Sequence, residues 1–372
     1  ENTVRELFQA DEIFMNDALS VAVCGSRAPL PSPNRAETCL LVQAGTSKFI
    51  IDSGRGSADN LQRWRVDYSD LEAVILSHLH SDHISDLHEV QFQSWLGGRK
   101  NPLPVLGPIG TASTAQGFAQ AFKLDSIYRS EHHGAILPIE AYGYDVVEFD
   151  GDVNIIFQNE DTRITAFKVD HFPVDPSYAF KIEYKDRSIV VSGDTISLEV
   201  MTEYSKGVDV LFHDALALPL IQEMERISKE TGNNIVSKVL FDIQDYHANT
   251  LEVADIAKRA EVDLLVFYHL IPAPINYISE QMFLRGVDEI FTNYIVSEDG
   301  TLVSLPARSD EIIIDEINQY KFSKVFFVIG GTNEKNWNEI CEILPNNFSI
   351  SFILNSINVG LPWLHWPVLG VF

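Results

Sequence analysis

The chain has 372 residues, 45% of them hydrophobic, and a formal charge of −26 from 27 basic and 53 acidic side chains. That is enough apolar material to bury a substantial core in one large domain. An acidic surface repels polyanions outside a local basic patch, and no Lys/Arg run interrupts it, so composition argues against a nucleic-acid partner.

The chain opens at Glu1 without an initiator methionine. With the acidity, this reads as a periplasmic or secreted protein that has lost a leader, the alternative being a cytoplasmic one. Residues 21–24, 40–42 and 49–51 read as short strands parted by Gly- and Pro-bearing turns. Asp52 then stands at a strand end, a candidate to hold a ligand histidine by its second nitrogen. The apolar run 73–76 leads into His78-Leu79-His80-Ser81-Asp82-His83, and a helix is predicted over 83–96, stopped by Gly97-Gly98. Residues 110–145, with Phe118, Phe122, Tyr128, Arg129, His132 and His133, form one pocket-shaping insertion, and 216–245 form a second of one or two helices. Between them, the runs 166–169 and 189–191 lead into Asp170-His171 and Ser192-Gly193-Asp194. Asn249, with Glu252 three residues on, caps a helix whose stripe is Val253, Ile256, Ala257 and Ala260, after which the run 264–268 leads into His269. The tail 352–372 is apolar, with Trp363 and Trp366, but Asn355, Asn358, Gly360, Pro362 and Pro367 make it a poor membrane span. Cys24, Cys39 and Cys341 show neither a zinc spacing nor a disulfide framework.

Four strand-like runs that each end on His or Asp point to metal chemistry. On an extended segment His78 and His80 project the same way and can reach one ion. His171 would complete three histidines on that ion, and Asp82, His83 and His269 would take a second. Asp194 has two carboxylate oxygens and can bridge both. The count leaves an open position, as two-metal hydrolysis needs. Two Zn2+ are expected, with Mn2+ or Fe2+ as substitutes.

The cluster His78-x-His80-x-Asp82-His83 resembles the first metal motif of the metallo-β-lactamase superfamily, His-x-His-x-Asp-His. Softer motifs are similar to the ribonuclease Z-like branch, and most to its bacterial arylsulfatase group. They are Ser26-Arg27-Ala28-Pro29-Leu30-Pro31, Asp52-Ser53-Gly54-Arg55-Gly56, Trp95-Leu96-Gly97-Gly98-Arg99, Asp170-His171-Phe172-Pro173-Val174 and His247-Ala248-Asn249-Thr250. The resemblance covers about residues 18–310. It implies a four-layer αββα sandwich of two mixed sheets flanked by helices, with a hydrolase domain over 1–310 and an apolar extension of unknown role over 311–372.

It also implies His247 as a proton donor working with Asp214, beside Asp82 as a further catalytic carboxylate. Two zincs, two carboxylates and a bridging hydroxide leave a single net positive charge, which suits a monoanionic ester. The expected reaction is attack of that hydroxide on a small anionic sulfate ester, an aryl sulfate above all. The alternatives are a small-molecule phosphodiesterase, then a transfer-RNA 3′-processing nuclease or a lactonase, and finally a metal-binding protein on a retired hydrolase fold. The nuclease ranks low because only residues 172–193 separate His171 from Asp194, too little for an RNA-gripping arm. A homo-oligomer is compatible with all of these, and no membrane span is expected.

Overall fold

Short apolar runs, some alternating and some continuous as in β12, give the strands one or both faces for a core, and in the computed structural model, which describes residues 13–317, they assemble two mixed sheets. A first stretch of the chain, to residue 158, supplies β1 (Ala18–Gly25), β2 (Cys39–Ala44), β3 (Ser47–Ile51), β4 (Leu71–Ile75), β5 (Leu103–Pro108), β6 (Tyr144–Phe149) and β7 (Val153–Gln158). The second supplies β8 (Thr162–His171), β9 (Val174–Tyr184), β10 (Arg187–Val191), β11 (Val210–Leu216), β12 (Leu264–Ile271), β13 (Tyr294–Val296), β14 (Thr301–Pro306) and β15 (Ile313–Glu316). One sheet runs β15-β14-β1-β2-β3-β4-β5-β6 and the other β13-β12-β11-β10-β9-β8-β7. The helices are α1 (Ser57–Arg63), α2 (Ser81–Ile84), α3 (Leu87–Leu96), α4 (Thr111–Ala121), α5 (Lys123–His133), α6 (Glu199–Ser205), α7 (Leu218–Glu230), α8 (Asn234–Asp242), α9 (Thr250–Ala260) and α10 (Tyr277–Phe283).

Burial explains the layering. Leu19, Val42, Phe49 and Ile75 of the first sheet pack against Phe180, Ile189, Phe212 and Tyr268 of the second. Each such side chain contributes about 1.5–3 kcal/mol on leaving water, which makes this inner layer the main force joining the sheets. The opposite face of the first sheet takes α1 and α3 through Leu61, Leu87 and Val90. That of the second takes α6, α9 and α10 through Met201, Val253, Ile256 and Phe283. The result is the αββα sandwich expected from the sequence.

Strand direction places the functional residues. β10, β11 and β12 pair in parallel, and β9 runs antiparallel to both β10 and β8. The C-terminal ends of β8, β10, β11 and β12 therefore share one rim, and the segments bearing His171, Asp194, Asp214 and His269 meet there.

Several expectations change. The helix predicted over 83–96 is two, α2 and α3, because Asp86 at the break accepts the Gly56 and Ala58 amides at 2.8 and 3.0 Å and gives its own N–H to Ser53. Cys24 and Cys39 form a disulfide, contrary to the cysteine spacing read from the sequence; they meet because the bulged β1–β2 pairing brings the two strand ends together across a 15-residue separation. Beyond residue 310, β15 pairs antiparallel with β14. The apolar tail lies outside the described residues. The two stretches read as insertions contain the helices α4–α5 and α7–α8, and Ile221 and Leu240 of the second pack with Ala28 and Ile271 in a small core of their own. Asn249 caps α9 with Glu252 in a reciprocal box, as its sequence suggests. Among the described residues no helix is long and apolar enough to cross a membrane.

Candidate metal centre

Two backbone irregularities aim the histidines. At β11–β12 the register shifts between Asp214 and Ala215, leaving His269 as the extra residue, with φ of 44°. A non-glycine residue in that region is uncommon and strained, and a bulge is a known way to turn a side chain out of its ladder. His269 Nε2 thereby lies 3.2 Å from both Asp82 Oδ2 and Asp194 Oδ2. A second shift, between Val169 and His171, sets the His171 ring toward the same carboxylate, at 3.8 Å. Gly193 is required just before Asp194: at φ of 60° its missing Cβ would stand 2.5 Å from the Tyr178 carbonyl.

The seven candidate ligands converge. His78, His80, His171 and Asp194 form one group, and Asp82, His83, Asp194 and His269 another, the ligand atoms of each lying within 4.8 Å of one another. Asp194 is common to both, as a bridging carboxylate must be. Asp194, Asp214, His247 and His269 form a third, overlapping group.

Neighbouring hydrogen bonds fix which nitrogen faces inward. His83 Nδ1 donates to Asp52 Oδ2 at 2.8 Å and His171 Nδ1 to the Tyr246 carbonyl at 2.9 Å, so each turns an Nε2 lone pair toward the cluster. His171 Nε2 then faces His80 Nδ1 at 3.3 Å, two ring nitrogens of which the first has no proton to offer. Asp52 has the supporting position expected of it. Two partners escaped the sequence reading: Ser77, whose Oγ joins Asp52 to His78, and the Tyr246 carbonyl. Each immediately precedes a functional histidine, and that adjacency was the only available signal.

Electrostatics divides the cluster. Burial pushes His78 well below the ordinary imidazole value and His171 down to about 4. Burial opposes a charged His83 as well, yet the carboxylates of Asp194, Asp52 and Asp82 hold it well above that value. Burial would raise Asp82, but His83 and His269 bring it down to about 2. His78 Nε2 and Asp194 Oδ1 are buried without a hydrogen-bond partner among the described residues. Unpaired nitrogen and oxygen atoms facing one another at 3–4 Å are costly unless a cation sits among them, so the donor set fits divalent metal.

Beside the cluster stands a pair of different character. His247 Nδ1 donates to Asp214 Oδ2 at 2.9 Å, and His213 Nδ1 lies 3.0 Å from the other carboxylate oxygen. The ring of His247 is 5.0 Å from that of His171 and 5.5 Å from that of His269.

Fold and site together define a metal-dependent hydrolase of the metallo-β-lactamase fold. The family model described as Anti-Pycsar protein Apyc1 matches residues 28–218. A ribonuclease Z of Mycobacterium marinum is 35% identical over 296 residues, 78% of this chain and 100% of its own length. One from Mycobacterium bovis is 34% identical over 261 residues, covering 68% and 87%. Among solved structures, the metallo-beta-lactamase fold protein YhfI from Bacillus subtilis superposes with a TM-score of 0.57 at 21% identity, covering 77% of this chain and all of its own. Human tRNase Z, short form, gives 0.55 at 19% identity, covering 77% and 99%. The chain belongs to the family described as Anti-Pycsar protein Apyc1 and to the ribonuclease Z-like branch of the metallo-β-lactamase fold.

These relatives correct two expectations. They are named ribonuclease Z, so the arylsulfatase group is not supported. The same finding overturns the exclusion of nucleic acid, which rested on net charge and on the short 172–193 link. Net charge describes the whole surface, whereas a polyanion that reaches a buried metal cluster responds to the field of the cleft.

Proposed function

We propose that the chain hydrolyses phosphodiester bonds in RNA, in the manner of 3′-end processing. The observation that carries this reading is the His247–Asp214 pair beside the seven-residue cluster, together with ribonuclease Z relatives matched over most of their length. His78, His80 and His171 would hold one divalent ion, Asp82, His83 and His269 a second, and Asp194 both. When bound, such a pair supplies a nucleophile at neutral pH and stabilises charge on the phosphoryl oxygens.

The residues do the rest. Asp52 and the Tyr246 carbonyl hold His83 and His171 in the tautomer that turns Nε2 inward. With Nδ1 committed to Asp214, His247 has Nε2 left to give a proton to the departing oxygen. The buried Asp214 carboxylate orients the His247 ring through that bond, and its second oxygen accepts from Ser192 Oγ.

A second reading, a small nucleotide diester, is favoured by one observation. His171 pairs with Val174 across a tight turn, and residues 174–191 are the β9–β10 hairpin, so no arm projects between His171 and Asp194.

Metal-loaded protein should be assayed on RNA with a 3′ extension, on bis(p-nitrophenyl) phosphate and on p-nitrophenyl sulfate. Cleavage of the RNA at physiological salt, with a metal content near two per chain, is expected. Turnover of the small diester alone would select the second reading, and turnover of the sulfate ester alone would overturn both.

A further inference from the structure

A groove of about 580 Å³ lies beside the turn that carries His171, with Asp170 and Phe172 in its lining. Its apolar wall is Val153, Val169, Val174, Leu198 and Val200, and Phe172 stands at its edge with 75% of its surface exposed. Among the described residues Lys168 is the only cation lining it, and it is already paired with Asp175 at 2.6 Å. Asp152 and Asp170 bring further carboxylates.

The groove is tied to the metal centre through the backbone. The Asp170 carbonyl accepts from Ile196 N and Thr195 Oγ1, Thr195 follows Asp194, and the Thr195 carbonyl accepts from Ala248, next to His247. The turn thus presents His171 to the cluster and its neighbours, Asp170 and Phe172, to the groove.

We propose that this groove is a subsite for a nucleobase carrying an exocyclic amine, with Phe172 stacking on the ring. This rests on the phosphodiesterase reading given above. An aromatic side chain three-quarters exposed at the mouth of an apolar groove offers a base a face to stack on, and stacking tolerates either the RNA or the small-nucleotide form of the substrate. The carboxylates decide the rest. They accept hydrogen bonds and repel phosphate, so the phosphate belongs at the cluster and the base, through an amine, at the groove. Adenine satisfies this with its N6 amine, whereas hypoxanthine presents an oxygen at the same place.

Two measurements test the subsite. The first is the ratio of kcat/KM for adenosine 5′-(p-nitrophenyl phosphate) to that for methyl p-nitrophenyl phosphate, which has no base. Phe172→Ala should lower that ratio by roughly 5- to 150-fold, the range of one base stack, and Phe172→Tyr should keep it. Asp170→Asn should narrow the preference for the adenosine ester over its inosine counterpart. The second is calorimetric titration of the metal-loaded protein with AMP and IMP, which needs no turnover. Tighter binding of AMP than IMP, weakened by Phe172→Ala, supports the groove. An unchanged ratio, or equal loss on both esters, overturns it, because Phe172 would then serve only the turn. If the wild type hydrolyses no diester, the phosphodiesterase reading falls, and the AMP titration still decides the groove; absence of any Phe172-dependent AMP binding overturns it.

Discussion

Replacing His247 by Ala removes a proton donor from a defined geometry, and the size of the effect should depend on the leaving group. His247 Nδ1 is fixed to Asp214 Oδ2 at 2.9 Å, and Asp214 is fully buried with its other oxygen accepting from Ser192 Oγ. The imidazole is therefore held in one orientation before substrate arrives. General acid catalysis of this kind contributes about 10²–10⁴-fold, or about 3–5 kcal/mol at 1.36 kcal/mol per tenfold. It matters most when the departing oxygen is strongly basic. Across a series of methyl aryl phosphates, His247→Ala should slow the phenyl ester by about that factor and leave the p-nitrophenyl ester nearly unaffected. Asp214→Asn replaces a charge-assisted hydrogen bond by a neutral one, a difference of about 1–1.5 kcal/mol, so its poorest ester should slow by roughly tenfold. The assay is kcat/KM plotted against the pKa of the phenol, with metal content measured for each variant, since His247 lies close enough to Asp194 for lost metal to mimic lost acid. Parallel lines for wild type and His247→Ala would refute the reasoning and make His247 a residue that places substrate or metal.

Four further outcomes are expected. Asp52→Asn should weaken metal binding by about 10- to 100-fold in a chelator competition, because the His83 Nδ1–H loses its carboxylate acceptor. Asn249→Ala removes the acceptor for the Leu251 and Glu252 amides and should cost about 1 kcal/mol in urea unfolding. Asp86, whose carboxyl burial pushes up to about 6, binds its proton more tightly folded than unfolded, so its contribution to stability falls as pH rises from about 4 to about 6. Asp86→Asn should flatten the stability profile across that window; an unaltered profile would dismiss the role. Cys24→Ser opens a cross-link spanning a 15-residue separation and should cost about 3 kcal/mol under non-reducing conditions, with no difference from wild type once reductant is added.

What the sequence determined by itself was local chemistry. A two-residue spacing puts His78 and His80 on one side of an extended segment, a Glu three residues after Asn249 makes a cap, and apolar runs ending on His or Asp mark strand ends at a rim. Period and spacing are properties of adjacent residues, so they survive without the fold. Tertiary structure decided what depends on residues distant in the chain. His269 enters the cluster only because of a bulge against β11, and Cys24 reaches Cys39 only through the bulged β1–β2 register. Asp86 divides the helix after His83 because it serves amides thirty residues away. Substrate class was the furthest from reach. A total of −26 averages over the surface. The field a substrate meets is set by which few groups line the cleft, and that is fixed by the packing of two sheets.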